Sequence, residues 1–383
     1  MVKAVYIHIP FCEHICYYCD FNKMYLKNQP VDQYIESLLL EMKYSDSSNN
    51  QFETIFIGGG TPTALSAQQL KRLLDGMHRE LLLDHVKEWT IEVNPDSIDD
   101  EKLAVLKEYG VNRLSIGVQS FDSELLKEIG RTHTSSSVYD AVERARTYGF
   151  TNISLDLMFG LPKQTPAHFR QSLKEAIELE VEHISAYSLK VEEKTIFFNR
   201  QRLGKLTLPP EEAEVSMYND LRALTEKAGL SQYEISNFAK NGFESKHNLV
   251  YWNNEEYAGY GAGAHGYLNG VRYQNHGPLP KYLRAIDQNA LPILLEHNVT
   301  KVEQIEEQMF LGLRKREGIS IAEFQEKFGI ALHDCFSEQL HTLQEQGLLI
   351  EVGDNVQLTE AGLLLGNEVF EQFIAVLEEE LIY

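Results

Sequence analysis

Cysteine is scarce in this chain: four residues in 383, too few and too unevenly placed for a disulfide framework. A reducing compartment, the cytoplasm, is therefore the expected location. Basic residues are also short. Lys and Arg number 35 against 57 Asp and Glu, for a formal net charge of −22, and no basic patch is segregated along the chain. That balance repels a nucleic-acid backbone, so no nucleic-acid partner is expected. No apolar run approaches the roughly 18 residues of a membrane span. The first cysteines come too early for a secretory leader to precede them, so none is expected. Internal repeats and low-complexity tracts are missing as well. What remains, 43% hydrophobic and 24% charged residues, is the composition of a soluble globular chain with room for two or three domains.

From Val2 to about Leu189, short β-branched runs alternate with amphipathic stretches, the rhythm of a parallel sheet with helical crossovers. Strands are predicted at Ala4–Ile9, Thr54–Ile57, Trp89–Val93, Arg113–Gly117, Asn152–Met158 and His183–Ser188. Helices are predicted between them, one of which starts at a Ser66/Gln69 capping box. Such units curl into an incomplete α/β barrel, here (β/α)6, whose ligands gather at the carboxyl ends of the strands. A break follows at Thr207-Leu208-Pro209-Pro210. Beyond it come a helix at about Glu211–Ala228, a strand near Gln232–Ser236, an aromatic-rich stretch to Tyr260 and a hairpin turning at Asn269-Gly270. From Val299 the order is three helices, then Leu348–Val352 and Val356–Leu358 around Gly353-Asp354-Asn355, a winged-helix-like pattern. The expected units are thus residues 1–206, a partial barrel; 207–298, an extension; and 299–383, a mainly helical, winged-helix-like domain. Winged helices often bind DNA, but this one holds 17 acidic and 5 basic residues, which favours packing or protein contact and leaves a DNA-binding regulator as the weakest alternative.

Three of the four cysteines stand together in Tyr6-Ile7-His8-Ile9-Pro10-Phe11-Cys12-Glu13-His14-Ile15-Cys16-Tyr17-Tyr18-Cys19. Cys12, Cys16 and Cys19 in a loop directly after an apolar strand supply three soft thiolates, the ligand set of a [4Fe–4S] cluster with one iron left open. An open iron can chelate the amino and carboxylate groups of S-adenosylmethionine (SAM). A zinc knuckle using His8 or His14 as fourth ligand is the alternative. Cys335, isolated in an apolar helical context, reads as a core residue.

Other candidates lie at the predicted strand ends. Gly58-Gly59-Gly60-Thr61-Pro62 closes the second strand, letting backbone approach a ligand, although glycine-rich turns also make phosphate loops or plain tight connections. Glu92, in an apolar setting, can accept hydrogen bonds from ribose hydroxyls or simply face solvent. Gln119 ends the fourth strand and Arg131 follows in Gly130-Arg131-Thr132-His133. Asp156 is embedded in a strand buried by pattern, and a buried carboxylate needs a partner. Further on, His247-Asn248-Leu249-Val250-Tyr251-Trp252 supplies an imidazole able to bind heme iron and two aromatics for a porphyrin face. Read without relatives, that segment is a helix capped by Asn248 with its aromatics in the core. His265, in Tyr260-Gly261-Ala262-Gly263-Ala264-His265-Gly266, is a second candidate axial ligand.

Taken together, the cysteine motif, the Gly-Gly-Gly-Thr-Pro turn and the positions of Glu92, Gln119, Arg131 and Asp156 resemble the HemN-like branch of the radical SAM superfamily over essentially the whole chain. The resemblance implies that Tyr6, Gly59, Gly60, Thr61, Glu92, Gln119, Arg131 and Asp156 contact SAM and that Tyr18 lies near its adenine. The branch holds two activities: oxygen-independent coproporphyrinogen III oxidases, which decarboxylate two propionates, and HemW-like heme chaperones. The oxidases carry a further cysteine two residues after the third, where this chain has Phe21, and an N-terminal extension, where this chain has five residues before Tyr6. The His-Asn-x-x-Tyr-Trp motif is typical of the chaperones and raises the heme-ligand reading of His247, Tyr251 and Trp252 above the core reading. A heme chaperone is therefore the expectation, with the oxidase as alternative. Its implied partners are heme, heme-accepting proteins (respiratory and membrane-associated ones included) and an electron donor for the cluster.

Overall fold

A computed structural model describes residues 2–45 and 50–378. Six strands follow one another as the alternation predicts: β1 (Ala4–Ile9), β2 (Thr54–Gly59), β3 (Glu88–Val93), β4 (Arg113–Gln119), β5 (Ile153–Phe159) and β6 (His183–Ser188). Each pairs in parallel with the next. Helices α1 (Val31–Tyr44), α2 (Ala67–Glu80), α3 (Asp100–Glu108), α4 (Ser123–Glu128), α5 (Ser135–Thr147) and α6 (Pro166–Glu178) connect the strands, α2 opened by the Ser66/Gln69 capping box, and α7 (Ile196–Arg202) and α8 (Glu211–Lys227) follow β6. Alternation sorts the side chains. Leu114, Ile116 and Val118 of β4 join the main core with Leu70, Leu73 and Leu74 of α2, while the residues between them face the barrel interior.

Residues 207–298 extend this same sheet at both edges. β7 (Ser231–Glu234) and β8 (Asn237–Ala239) add antiparallel strands beyond β6. β9 (Tyr257–Tyr260) pairs in parallel with the outer edge of β1, and β10 (His265–Leu268), β11 (Val271–Asn275) and β12 (Ile293–Asn298) continue antiparallel from it. Among the described residues the sheet therefore has twelve strands, in the order β12-β11-β10-β9-β1-β2-β3-β4-β5-β6-β8-β7. Two differences from expectation stand out. The single strand predicted near Gln232–Ser236 is a hairpin, turned at Ile235-Ser236 without glycine or proline and held by an Asn237–Glu234 side-chain hydrogen bond. Tyr257–Tyr260 is a parallel strand that its four residues, with Gly259 among them, do not announce. A side chain at Gly259 would meet the His265 carbonyl oxygen at 1.8 Å, so glycine is what lets β9 and β10 pair there.

Beyond Val299 a second core forms around Ile305, Met309, Phe324, Phe336 and Phe373. Its elements run helix Lys301–Gly312, strand Ile319–Ser320, helices Ile321–Phe328 and Leu332–Glu345, then the hairpin Leu349–Val352 and Asn355–Leu358. That is the predicted helix-and-wing order, with one strand more than expected. Cys335 is partly buried against this core. Among the described residues no helix is long and apolar enough to cross a membrane.

Candidate functional site

β1 ends at Ile9, and Pro10 turns the chain into a short parallel pair, Phe11–Cys12 with Met24–Tyr25. The intervening loop carries Cys16 and Cys19. It is tied at both sides: Met24 N donates to Pro10 O (2.8 Å), Leu26 N to Cys12 O (2.8 Å), Tyr17 N to Ile129 O (3.0 Å) and Phe197 N to Tyr17 O (3.0 Å). Cys12 is buried, whereas Cys16 and Cys19 are half-buried. All three border one cavity of about 440 Å³ at the carboxyl end of the parallel strands. Burial pushes the Cys12 thiol up and the Cys19 thiol up to about 11, so both hold their protons until a cationic centre competes for the sulfur. Among the described residues no three His, Cys, Asp or Glu side chains close on a single metal-ion position; the thiols instead border a wider shared space. His14 borders it too. His8 does not: its Nδ1 meets Tyr6 OH at 3.0 Å and its Nε2 meets Asn22 O at 2.7 Å, so both ring nitrogens are engaged.

The glycine turn is fitted against this loop. Gly60 N donates to Ile9 O (2.8 Å), Thr61 N to Phe11 O (2.8 Å), and Thr61 Oγ1 to Cys12 Sγ (3.6 Å). A Cβ at Gly60 would stand 2.8 Å from Phe11 O and 3.0 Å from Cys12 Sγ, and one at Gly58 would stand 2.9 Å from Glu92. Side chains here would displace the cysteine loop and the carboxylate.

Opposite the thiols, charged groups converge. Glu92 accepts from Gly59 N (3.1 Å), and burial, then neighbouring Asp156, pushes its carboxyl up to about 7. Asp156 accepts from Ser115 Oγ at 3.1 and 3.0 Å and from Ser154 Oγ at 3.3 Å; burial raises its carboxyl despite them. Arg131 donates through Nη1 to Asn94 Oδ1 (2.8 Å) and through Nη2 to Tyr18 OH (3.4 Å), and its Nε is buried without a partner. Burial works against its charge, but Tyr18 and Cys16 outweigh that and raise its affinity for the proton. Gln119 sits at φ +63°, beside a register irregularity between β4 and β5, at the cavity wall. Thus Cys12, Cys16, Cys19, Tyr18, Gly59, Gly60, Thr61, Glu92, Gln119, Arg131 and Asp156 line one space. Tyr6 stands behind it, its ring stacked on Phe56, which does line the cavity.

The residues present fit a cluster and SAM in their donor chemistry. Three soft sulfurs border the space, side-chain-free glycines leave room beside them, Arg131 presents an unpartnered nitrogen and two carboxylates accept hydrogen bonds.

The His-Asn-x-x-Tyr-Trp segment forms a helix, α9 (Lys246–Trp252), capped by Ser245 rather than Asn248. It plugs the opposite end of the barrel. Glu88, at the start of β3, accepts from Lys246 N (2.9 Å) and His247 N (3.0 Å), and the His247 ring meets Thr54 Oγ1 (2.9 Å) and Tyr251 OH (2.8 Å). His247 is 1% exposed, and burial, aided by Arg113, pushes its imidazole down to about 3. The structure therefore does not bring His247, Tyr251 or Trp252 to the cavity; Trp252 lies under the Arg314 guanidinium, 4.5 Å from its ring centre. Asn248 is the motif residue that lines the cavity. His265 is exposed at the start of β10.

Sequence reading passed over Phe56, Asn94, Arg113, Ser115, Ser185 and Tyr187, all of which line the cavity. For Arg113, Ser115, Ser185 and Tyr187 the signal is the alternate, inward positions of β4 and β6, where polar residues replace the branched apolar ones usual in such interiors.

Residues 6–176 match the radical SAM superfamily and residues 299–365 the HemN C-terminal domain. The chain is 52% identical to heme chaperone HemW of Bacillus subtilis, across 98% of this chain and 100% of that one. Against heme chaperone HemW of Escherichia coli the identity is 35%, across 97% and 98%. Among solved structures, coproporphyrinogen III oxidase (HemN) from Escherichia coli, a radical SAM enzyme, superposes with a TM-score of 0.86 at 25% identity, covering 98% of this chain and 91% of that one.

Proposed function

The chain belongs to the HemW family of the radical SAM superfamily, and from that premise we propose that it is a heme chaperone, binding heme and passing it to acceptor proteins while carrying a SAM-ligated [4Fe–4S] cluster. The observation that carries the reading is the convergence of three thiols, a glycine turn, Arg131, Glu92 and Asp156 on one cavity, in a chain alike over its whole length to proteins named heme chaperone.

In this reading Cys12, Cys16 and Cys19 hold the cluster, and SAM completes it. The bound pair supplies a reducible centre beside a sulfonium. The chain's own residues do the positioning. Gly59 and Gly60 admit the ligand against the backbone, Glu92 and Asp156 accept from its hydroxyl and ammonium groups, and Arg131 offers its free Nε to a carboxylate. Tyr18, hydrogen-bonded to Arg131, holds one wall. For heme iron, His265 is the favoured ligand of the two candidates, because its imidazole is exposed while both ring nitrogens of His247 are engaged in the barrel floor. The acceptors are proteins that need heme, respiratory ones among them, and a separate reductant serves the cluster.

The fold likeness to HemN supports a second reading, oxidation of coproporphyrinogen III. Against it, position 21 holds Phe, 62% exposed at the cavity rim, where those oxidases carry a cysteine. Anaerobic reconstitution followed by separate titration with heme and with coproporphyrinogen III tests both. The expected outcome is stoichiometric heme binding, with transfer to a heme-depleted acceptor and no tetrapyrrole product. Multiple turnovers of decarboxylated product per chain would overturn the chaperone reading.

A further inference from the structure

Beneath the carboxylates, the cavity reaches a part of the barrel that neither the cluster nor SAM accounts for. Its wall includes Arg113, the first residue of β4, which is 2% exposed and among the largest fully buried side chains. Arg113 Nε is buried without a hydrogen-bond partner, and among the described residues no acidic side chain stands within ion-pair reach of the guanidinium. Its charge is nonetheless felt by Asp156, His183, Tyr233 and His247. Ser185, Tyr187 and Asn248 line the same cavity with neutral polar groups.

An unpaired buried guanidinium is costly, and a Met or Leu of similar volume would serve the core better. A charge retained there is suited to a partner that arrives from outside. Arg113 presents a planar fork, the geometry that binds carboxylate in two parallel hydrogen bonds. The Arg113 charge reaches Asp156, but no ion pair joins the two, and Asp156 accepts from Ser115 Oγ and Ser154 Oγ instead. Arg131, beside the cysteine loop, serves a carboxylate of SAM in the reading above. Arg113 therefore lacks a cargo, and heme carries two propionates on one edge of an apolar ring.

We infer that Arg113, with Asn248 and Ser185 of the same cavity lining, receives a propionate carboxylate of the tetrapyrrole, so that the ligand enters the barrel propionate edge first. This inference rests on the chaperone reading. It assigns Asn248, the cavity-facing member of the α9 motif, to cargo recognition, and the rest of that motif to closing the floor.

The test uses the reconstituted full chain and two probes, heme and heme dimethyl ester, titrated by Soret absorbance, with SAM binding measured separately. Wild type should favour heme over the diester. Arg113→Met should bind heme at least tenfold more weakly, leave diester affinity unchanged and so abolish the preference, with SAM affinity unaltered. It should melt no lower than wild type, since an unpaired buried charge has been removed. Arg113→Lys, which keeps the charge and loses the fork, should retain a reduced preference. Unchanged heme affinity and preference in Arg113→Met would overturn the inference while leaving the chaperone reading intact. Loss of SAM affinity with heme affinity intact would assign the carboxylate to SAM and equally overturn it. If Arg113→Met fails to fold, equal affinity of Arg113→Lys for heme and the diester would overturn it. Failure of wild type to bind either tetrapyrrole would sink the chaperone reading and this inference with it.

Discussion

At the floor of the barrel, Glu88, His183 and His247 find their partners within the chain: Glu88 caps α9, His183 lies between Ser154 Oγ (2.8 Å) and Tyr233 OH (2.9 Å), and His247 lies between Thr54 and Tyr251. At the mouth, Arg131 keeps a free Nε and Glu92 and Asp156 crowd each other, while Arg113, deeper in the barrel at the start of β4, has a free Nε and forms no ion pair among the described residues. These three floor residues behave as core, polar but satisfied. The mouth is left incomplete by the chain and is completed by ligands, as polar groups at functional sites are. The same six strands run through both ends, so the difference comes from their inward residues and from the helix and added strand that close the floor. A satisfied polar layer gives up stability when cut; an unsatisfied one gives up binding.

The largest expected effect is at the mouth. Cys16→Ala should leave little or no iron and sulfide after anaerobic reconstitution, with a melting temperature close to that of the wild-type apo chain, because the half-buried thiol contributes little packing. Equal cluster content in both proteins would remove the cysteine loop from the site.

Next comes a pair that sets floor against surface. His247→Ala should lower stability by about 2–4 kcal/mol, through lost packing and two orphaned hydroxyl partners, while leaving the spectrum of bound heme unchanged. His265→Ala should do the reverse, altering the heme spectrum with a stability change below about 0.5 kcal/mol. Chemical denaturation and absorbance titration on the two variants check this. An altered spectrum in His247→Ala at unchanged stability would return the axial role to the α9 motif.

Much of the mouth was legible in the sequence because its residues break the pattern of the strands that carry them. Cysteines, glycines and lone carboxylates at strand ends are visible against apolar runs, and Cys12, Gly60, Glu92 and Asp156 line one cavity. The strand rhythm placed β1 and β6 to the residue. The floor was not legible. Whether His247 faces a ligand or Thr54 depends on how α9 docks against β2, a contact between residues 193 positions apart. Arg113 was missed for the opposite reason: the first residue of a strand ordinarily sits near solvent, and only barrel closure buries it. The β7–β8 hairpin turns without glycine or proline, and β9 is too short for periodicity to register.

A smaller effect sharpens the contrast at the cap of the floor. Glu88→Gln keeps the size of the side chain but leaves Lys246 N and His247 N sharing one carbonyl oxygen, and should cost about 1–2 kcal/mol. Cluster content and SAM affinity should hold, since Glu88 does not border the cavity. A loss of SAM binding at unchanged stability would mean that the floor shapes the mouth directly.

The smallest effect is in pH dependence, where the two ends carry opposite signs. Glu92 titrates at about 7 in the folded chain against 4.5 ordinarily, so the folded state holds the extra proton between those values. Its contribution is fully present below about pH 4.5 and is lost as the pH rises to about 7. His247 titrates at about 3 against 6.5, so there the unfolded state holds the extra proton. Its contribution is present above about pH 6.5 and is lost as the pH falls towards 3. Replacing each group should cancel its own slope. Glu92→Gln in the cluster-free chain should flatten the decline between pH 4.5 and 7 and gain on wild type above it, while His247→Gln should flatten the loss on the acid side. Denaturation midpoints measured from pH 4 to 8 distinguish the two. Parallel pH profiles for wild type and Glu92→Gln would mean that solvent entering the mouth keeps this carboxylate near its ordinary range, and the mouth would then differ from the floor in hydration more than in unmet charge.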